Sequence, residues 1–361
     1  MEEAAFAMKG RQGNLLLTVF TLVLAALSSV CYASEGDRHA HFRSCTEKCE
    51  KTGFVNKLQV PACKDLAGGV NPNFDKSQEL SMSVVFEEWD CRSECRYHCM
   101  KDTESKRELV SEAPMKYYGK WPFTRYLSLQ EPASVIFSVL NLFAHLQGLL
   151  SFYRLVYYKL PRRVSTKAPY YEYTVFWIAY ATLAMNSWFW SALFHKRDVN
   201  ITERLDYSSA IALLGYSLVS TVIRVGNLRV EAAQVMAAAP ILAFTATHIM
   251  YLNFYHFDYG LNMKVCIVMG VTQLLLWTGW AGITRHPSRF KLWCVVLGTV
   301  LSMLLEIFDF PPFWGVLDAH ALWHACTVPI TVFWWRFVKE DASFRTAVQQ
   351  RQLDTDERKV K

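Results

Sequence analysis

The chain is short of charge. Of its 361 residues only 19% are Asp, Glu, Lys or Arg, against about 25% in a typical soluble chain. That scarcity, with the abundant apolar residues, excludes a disordered protein and a collagen-like one. There is no internal repeat and no low-complexity segment. There is also no basic patch. The formal net charge is +6, but many of the Lys and Arg residues sit in short segments between apolar runs, so no nucleic-acid partner is expected. What the chain has instead is apolar: 52% hydrophobic and 14% aromatic, with twelve Trp. The mean hydropathy of +0.10 averages a polar part and a very apolar part. Long apolar runs with aromatic residues near their ends read as a membrane protein.

The first residues read as an address. Lys9 and Arg11 precede an apolar run from Leu15 to about Val30, and Cys31-Tyr32-Ala33 supplies small residues before a cut. This predicts a signal peptide over residues 1–33, with an uncleaved signal anchor as the alternative. Either reading sends the chain into the secretory pathway.

Residues 34–130 carry Cys45, Cys49, Cys63, Cys91, Cys95 and Cys99. An even count in a small segment that faces an oxidising lumen predicts three disulfides, in any of fifteen connectivities. Zinc is the rival reading. Cys91, Cys95 and Cys99 recur every four residues, which lines their sulfurs along one helical stripe. The segment has few apolar residues and needs such staples to fold. Cys266, Cys294 and Cys326 lie in apolar runs and read as small hydrophobes.

Seven apolar runs of spanning length follow, at about Ala133–Phe152, Tyr173–Phe194, Leu205–Ile223, Ala232–Phe254, Leu261–Ile283, Leu292–Phe308 and Leu317–Phe333. The expected fold is an all-α seven-transmembrane helix bundle over residues 131–335, preceded by the disulfide-rich luminal segment. Residues 336–361 read as a loose cytosolic tail. With the N-terminus luminal, the cytosolic loops and the start of the tail collect twelve Lys and Arg, among them Arg154, Arg224 and Lys291. The luminal side has four: Lys196, Arg197, Arg204 and Lys264. That asymmetry obeys the positive-inside rule. The sequon Asn200-Ile201-Thr202 is a possible glycosylation site, but its loop is very short and close to the membrane, which favours an unmodified Asn200.

Ionisable residues at or inside spans are costly, so each is a functional candidate. Ser191 and His195 lie one turn apart at the end of the second span, Asp206 near the start of the third, and His320 and His324 at the start of the seventh. The topology brings all five to a similar depth near the luminal face. Three imidazoles and a water form the open coordination of a catalytic zinc. Zinc-activated water suits ester or amide hydrolysis. Asp206 is placed to hold or deprotonate that water or to orient a histidine, and Ser191 to donate to the water or to an oxyanion. A triad-type Ser191 is disfavoured, since no glycine-flanked elbow surrounds it. Glu306 and Asp309 read as metal-supporting or structural, and Glu203-Arg204 as a cap or charge pair. His145, His248, His256 and His286 read as polar tips in a wet zone. Trp188-Phe189-Trp190 and Phe333-Trp334-Trp335 read as interface anchors and packing.

The set Ser-x3-His, an Asp eleven residues later and a late His-x3-His resembles the seven-span metal hydrolases, which include alkaline ceramidases and progestin and adiponectin receptor-like proteins. The wider pattern adds the six-Cys segment, Gly119-Lys120-Trp121-Pro122-Phe123, Asn186-Ser187-Trp188-Phe189-Trp190-Ser191, His195-Lys196-Arg197-Asp198, Asp309-Phe310-Pro311-Pro312 and Leu317-Asp318-Ala319-His320. Together these resemble the post-GPI-attachment-to-proteins factor 3 family, from about Cys45 to Trp335. The resemblance implies a GPI-specific phospholipase of the A2 type. Such an enzyme removes the sn-2 acyl chain of the anchor lipid on GPI-anchored proteins to leave lyso-GPI. It also implies Zn2+ held by His195, His320 and His324, with Ser191 and Asp206 beside the catalytic water, and a Golgi or endoplasmic reticulum membrane. The basic Arg358-Lys359-Val360-Lys361 tail is read as either a retrieval signal or a solvated end. A ceramidase-like amidase and a non-catalytic seven-span receptor or chaperone are the alternatives.

Overall fold

The computed structural model describes residues 34–63, 89–163 and 167–360. The expected signal peptide lies outside the described residues. A short helix α1 (Glu35–Arg38) leads into α2 (Ala40–Thr52). Gly53, at φ +73°, closes α2 in the left-handed region that favours glycine. A two-stranded ribbon follows, β1 (Phe54–Val55) antiparallel to β2 (Leu58–Gln59), and then a 3-10 turn over Pro61–Cys63. Helix α3 (Cys91–Leu109) starts at Asp90, whose side chain accepts from the Ser93 amide.

Helices α2 and α3 pack against each other, and the sulfurs pair in a nested order: Cys45–Cys99, Cys49–Cys95 and Cys63–Cys91. Nesting follows from antiparallel helices whose cysteines are four residues apart, so that first meets last. The pairing leaves no thiolate for the rival zinc reading. Phe42, Val60 and Tyr117 fill the small core around the sulfurs.

Seven long helices follow: α4 (Pro132–Arg154), α5 (Thr174–Lys196), α6 (Asn200–Val225), α7 (Glu231–Met250), α8 (Tyr259–Ile283), α9 (Arg289–Phe308) and α10 (Ala319–Val360). Five of them, α4, α6, α7, α8 and α9, are long and apolar enough to cross a membrane. The other two, α5 and α10, are the histidine carriers. Helix α5 is diluted by Trp, Tyr, Asn and Ser, and α10 by charges after Trp335. Their neighbours explain why this is tolerated. Helix α5 packs between α4 and α6, and α10 between α9 and α4; α6 meets α8 and α8 meets α9, closing a ring with α7 against α6. At Gly148 on α4 an added Cβ would lie 2.2 Å from the Trp335 ring, so only glycine lets α10 come this close.

Two boundaries differ from the sequence reading. Helix α6 begins at Asn200, so the sequon is folded into a helix start: Asn200 accepts from Arg204 and the Thr202 hydroxyl is buried on Arg197 and Val199 carbonyls. The expected loose tail is instead a continuation of α10. Phe337, Val338, Asp341, Ala342 and Thr346 are buried, because the apolar ones join a cluster with Trp277, Trp280 and Trp334. Trp334 meets Trp177 and Trp277 edge-to-face, with centroids 5.5 and 5.4 Å apart, contacts worth about 0.5–1.5 kcal/mol each beyond burial. The Phe333-Trp334-Trp335 cluster is therefore largely core. So are three histidines expected in wet positions: His145 accepts from Trp335, His248 meets Asn262 and His286 meets Asp341, all buried. His256 is exposed.

Candidate metal centre

The site is at the end of the bundle where α5 stops and α10 starts. His195 lies on the last turn of α5 and His320 and His324 on the first turns of α10. Asp318 starts α10 by accepting from the Ala321 amide at 2.8 Å. Asn141 on α4 donates to the His324 carbonyl at 2.9 Å, which fixes α10 against α4.

The three rings converge. Their centroids are 5.2 Å apart for His195 and His320, 4.9 Å for His195 and His324, and 4.6 Å for His320 and His324. One nitrogen from each lies within 4.8 Å of the others. The outward nitrogens are all engaged. His195 Nδ1 meets Glu131 at 2.6 Å and His320 Nδ1 meets Glu306 at 2.6 Å. His324 Nδ1 meets the Ser138 hydroxyl at 3.3 Å. A carboxylate only accepts, so the His195 and His320 protons sit on Nδ1 and their Nε2 lone pairs point inward. His320 Nε2 and His324 Nε2 are 2.9 Å apart. With the Ser138 hydroxyl donating to His324 Nδ1, a proton on His324 Nε2 bridges the two nitrogens, and a cation can take its place. Imidazoles oriented from behind by carboxylates are the arrangement in which histidine ligates metal. The donor set therefore fits a divalent cation with nitrogen preference.

Asp206 is half-buried on α6, close enough to interact electrostatically with His320. Its carboxylate makes no hydrogen bond among the described residues. Ser191 is buried and contacts Ser138 at 3.1 Å, so it reaches His324 through Ser138 rather than directly. The Trp188 ring packs edge-on to His324 at 5.2 Å.

Three contributors were missed by the sequence reading. Glu131 immediately precedes α4, its backbone N–H donating to the His195 carbonyl. Its position at a span end was a readable signal. Ser138, a hydroxyl inside an apolar run, carried none. Lys120 was noted only as part of a motif; its ammonium bonds Glu131 at 2.5 Å and Asp198 at 3.0 Å. Burial alone would raise the Glu131 carboxyl, but Lys120 and His195 hold it well below the usual carboxylate range. Burial likewise opposes the Lys120 charge, and Asp198 and Glu131 together hold its ammonium above the ordinary value.

The segment around Lys120 also joins the disulfide unit to the bundle. Lys116 pairs with Asp309 and Trp121 Nε1 donates to Asp309 at 2.9 Å. The Thr124 amide donates to the Gly315 carbonyl and the Gln130 amide to that of Lys196. Asp309 thus ties the two parts together, while Glu306 bonds the His320 ring. Arg204 donates to the Asn253 and Leu252 carbonyls, capping the end of the turn after α7.

Fold and site together define a multi-pass membrane protein with a three-histidine cluster, able to hold a metal ion, at one end of its helix ring. A profile of the Per1-like family matches residues 81–342, and the chain belongs to that family. It is 34% identical over 338 residues to the GPI-specific phospholipase A2-like PGAP3 of Bos taurus, covering 93% of this chain and 96% of the relative. The Mus musculus protein of the same name is 33% identical over 339 residues, covering 93% and 96%. The Drosophila melanogaster post-GPI attachment to proteins factor 3 is 34% identical over 329 residues, covering 90% and 94%. No solved structure matches the chain.

Proposed function

We propose that this protein hydrolyses the sn-2 acyl ester of the lipid in GPI anchors on GPI-anchored proteins, leaving lyso-GPI and a fatty acid, with a zinc ion held by His195, His320 and His324. The observation that carries the reading is the convergence of three imidazoles whose outward nitrogens are already engaged. The names of the relatives, phospholipase A2-like and post-GPI attachment factor, support the substrate and the bond.

Three histidines leave a fourth position open, as catalytic zinc requires. Zinc supplies Lewis acidity there, lowering the pKa of water to about 7 and polarising an ester carbonyl. The chain's own groups do the remaining work. Glu131 and Glu306 hold the His195 and His320 rings and raise their basicity. Ser138, backed by Ser191, does the same for His324, which makes Ser191 a positioning residue. Asp206, whose carboxylate makes no hydrogen bond among the described residues, takes the proton from the attacking water and passes it to the departing alkoxide.

In this reading α5 and α10 cross the membrane with the five apolar helices. The N-terminus is luminal and the C-terminus cytosolic, in a Golgi or endoplasmic reticulum membrane. The site then opens at the luminal leaflet, where GPI anchors lie. The test is the lipid composition of GPI-anchored proteins in cells lacking this protein, rescued by wild type or by His195→Ala at equal abundance. Rescue by wild type alone supports hydrolysis at the cluster. Rescue by both overturns it in favour of a chaperone or trafficking role.

A further inference from the structure

Between the disulfide unit and the histidine end of the bundle lies a cavity of about 190 Å³. Aromatic rings and cations make up much of its wall, among them Tyr97, Tyr118 and Trp121 with Arg96 and Lys120. Arg125 also lines the cavity, paired with Glu94 at 2.6 Å, and the three cations differ in state. Lys120 is engaged by Glu131 and Asp198. Arg96 lies 4.8 Å over the Tyr118 ring. Its Nε is buried without a hydrogen-bond partner, and no carboxylate pairs with it among the described residues.

A ring holds a guanidinium in place without cancelling its charge. A buried N–H donor left without an acceptor costs about 1–3 kcal/mol, so Arg96 is poised for an anion from outside the chain. The guanidinium fork matches phosphate bidentately. The aromatic walls suit the C–H faces of a cyclitol or sugar ring, which carry partial positive charge toward the π cloud. The cavity is smaller than the ~300–1,000 Å³ of a drug-sized pocket. That limits its occupant to one ring and its phosphate, not a whole glycan. Lys120 ties the cavity to the metal centre, because the Glu131 it bonds is the one that holds His195.

We propose that this cavity receives the phosphorylated inositol ring of the GPI headgroup, with Arg96 on the phosphate and the aromatic walls on the ring. The lipid part then extends toward the histidines. The identity of the ligand rests on the hydrolase reading, but headgroup binding is separable from turnover.

The test is calorimetric titration of the full-length protein in nanodiscs with myo-inositol 1-phosphate. Wild type should bind saturably. Arg96→Gln should weaken binding tenfold or more, and Arg96→Lys should recover part of the loss. Tyr118→Leu, which removes the ring under the guanidinium, should weaken it severalfold and serves as a second route should Arg96→Gln fail to fold. Inorganic phosphate should bind at least tenfold more weakly. His324→Ala should bind the probe as wild type does. Absence of saturable binding, unchanged affinity in folded Arg96→Gln, or inorganic phosphate binding equally well would each overturn the proposal. If Arg96→Gln loses the probe while His324→Ala still remodels GPI in cells, the cavity assignment stands and the hydrolase reading fails.

Discussion

The two ends of the helix ring both bury charge, and they do so in opposite ways. At the end away from the histidine cluster, Asp341 on α10 accepts from both Arg224 Nε and Nη2 and from the Tyr171 hydroxyl, with His286 Nε2 at 3.3 Å. Trp177 donates to Tyr171 in turn. Both oxygens of the carboxylate are used. At the other end three imidazoles turn their remaining nitrogens toward one another, with His320 and His324 sharing a hydrogen bond at 2.9 Å. A satisfied buried network fixes packing. A convergent set of nitrogen donors is one that can take up a cation. The contrast sets a carboxylate network that fixes packing against a nitrogen set able to hold a cation.

The largest expected effect comes from taking a ligand out of the open end. His324→Ala should reduce zinc in the purified protein, measured by elemental mass spectrometry, to the level left by a strong chelator. It should also abolish GPI remodelling in rescued cells while moving the thermal midpoint little. A variant that keeps full metal content would break the comparison. At the closed end the outcome should reverse. Asp341→Asn strands Arg224 in a buried site and should cost about 3–5 kcal/mol, seen as a large fall in thermal midpoint in detergent. The surviving folded protein should keep its metal. Glu131→Gln sharpens the comparison by weakening a support rather than a ligand. Zinc affinity should fall by about 10–100-fold, with bound metal still detectable at saturating zinc.

The smallest effect lies outside both ends, in the disulfide unit. Burial opposes the Asp102 charge, but hydrogen bonds from Lys106, His41 and Asn56 outweigh it and hold the carboxyl below its ordinary value. A carboxyl depressed in this way stabilises the fold above the unfolded value of about 3.9 and loses that contribution as pH falls through the folded value. Asp102→Asn should therefore lower the midpoint by only a degree or two at pH 7, since the group is largely solvent-screened. The difference from wild type should shrink below about pH 4. A difference that persists at pH 3 would mean the clamp acts through packing instead.

Much of this was legible in the chain. All seven apolar runs are helices, and the i,i+4 spacings of histidine and cysteine correctly placed the converging groups on shared faces. Only five of the seven helices are long and apolar enough to cross a membrane; α5 and α10 carry more polar side chains, which helices packed between neighbours tolerate. The same reasoning explains the misread histidines. His145 and His286 were assigned to water by their residue type, whereas tertiary partners far along the chain, Trp335 and Asp341, receive them inside. Ser138 was invisible because a hydroxyl bonded across helices has no periodic signature. The disulfide order needed the antiparallel placement of α2 and α3 before fifteen possibilities became one.

Helix α10 runs unbroken from Ala319 to Val360, and it carries a member of each polar layer. From His320 to Asp341 is 21 residues, about 32 Å at ~1.5 Å per residue. A hydrocarbon slab is about 30 Å thick. In the proposed orientation, with α10 crossing the membrane, the helix would be a ruler: with Asp341 near one bilayer face, the imidazoles would stand at the depth of the other. Inserting one helical turn between the two layers would shift His320 and His324 by about 5.4 Å from His195, which stays on α5, and so part the three rings.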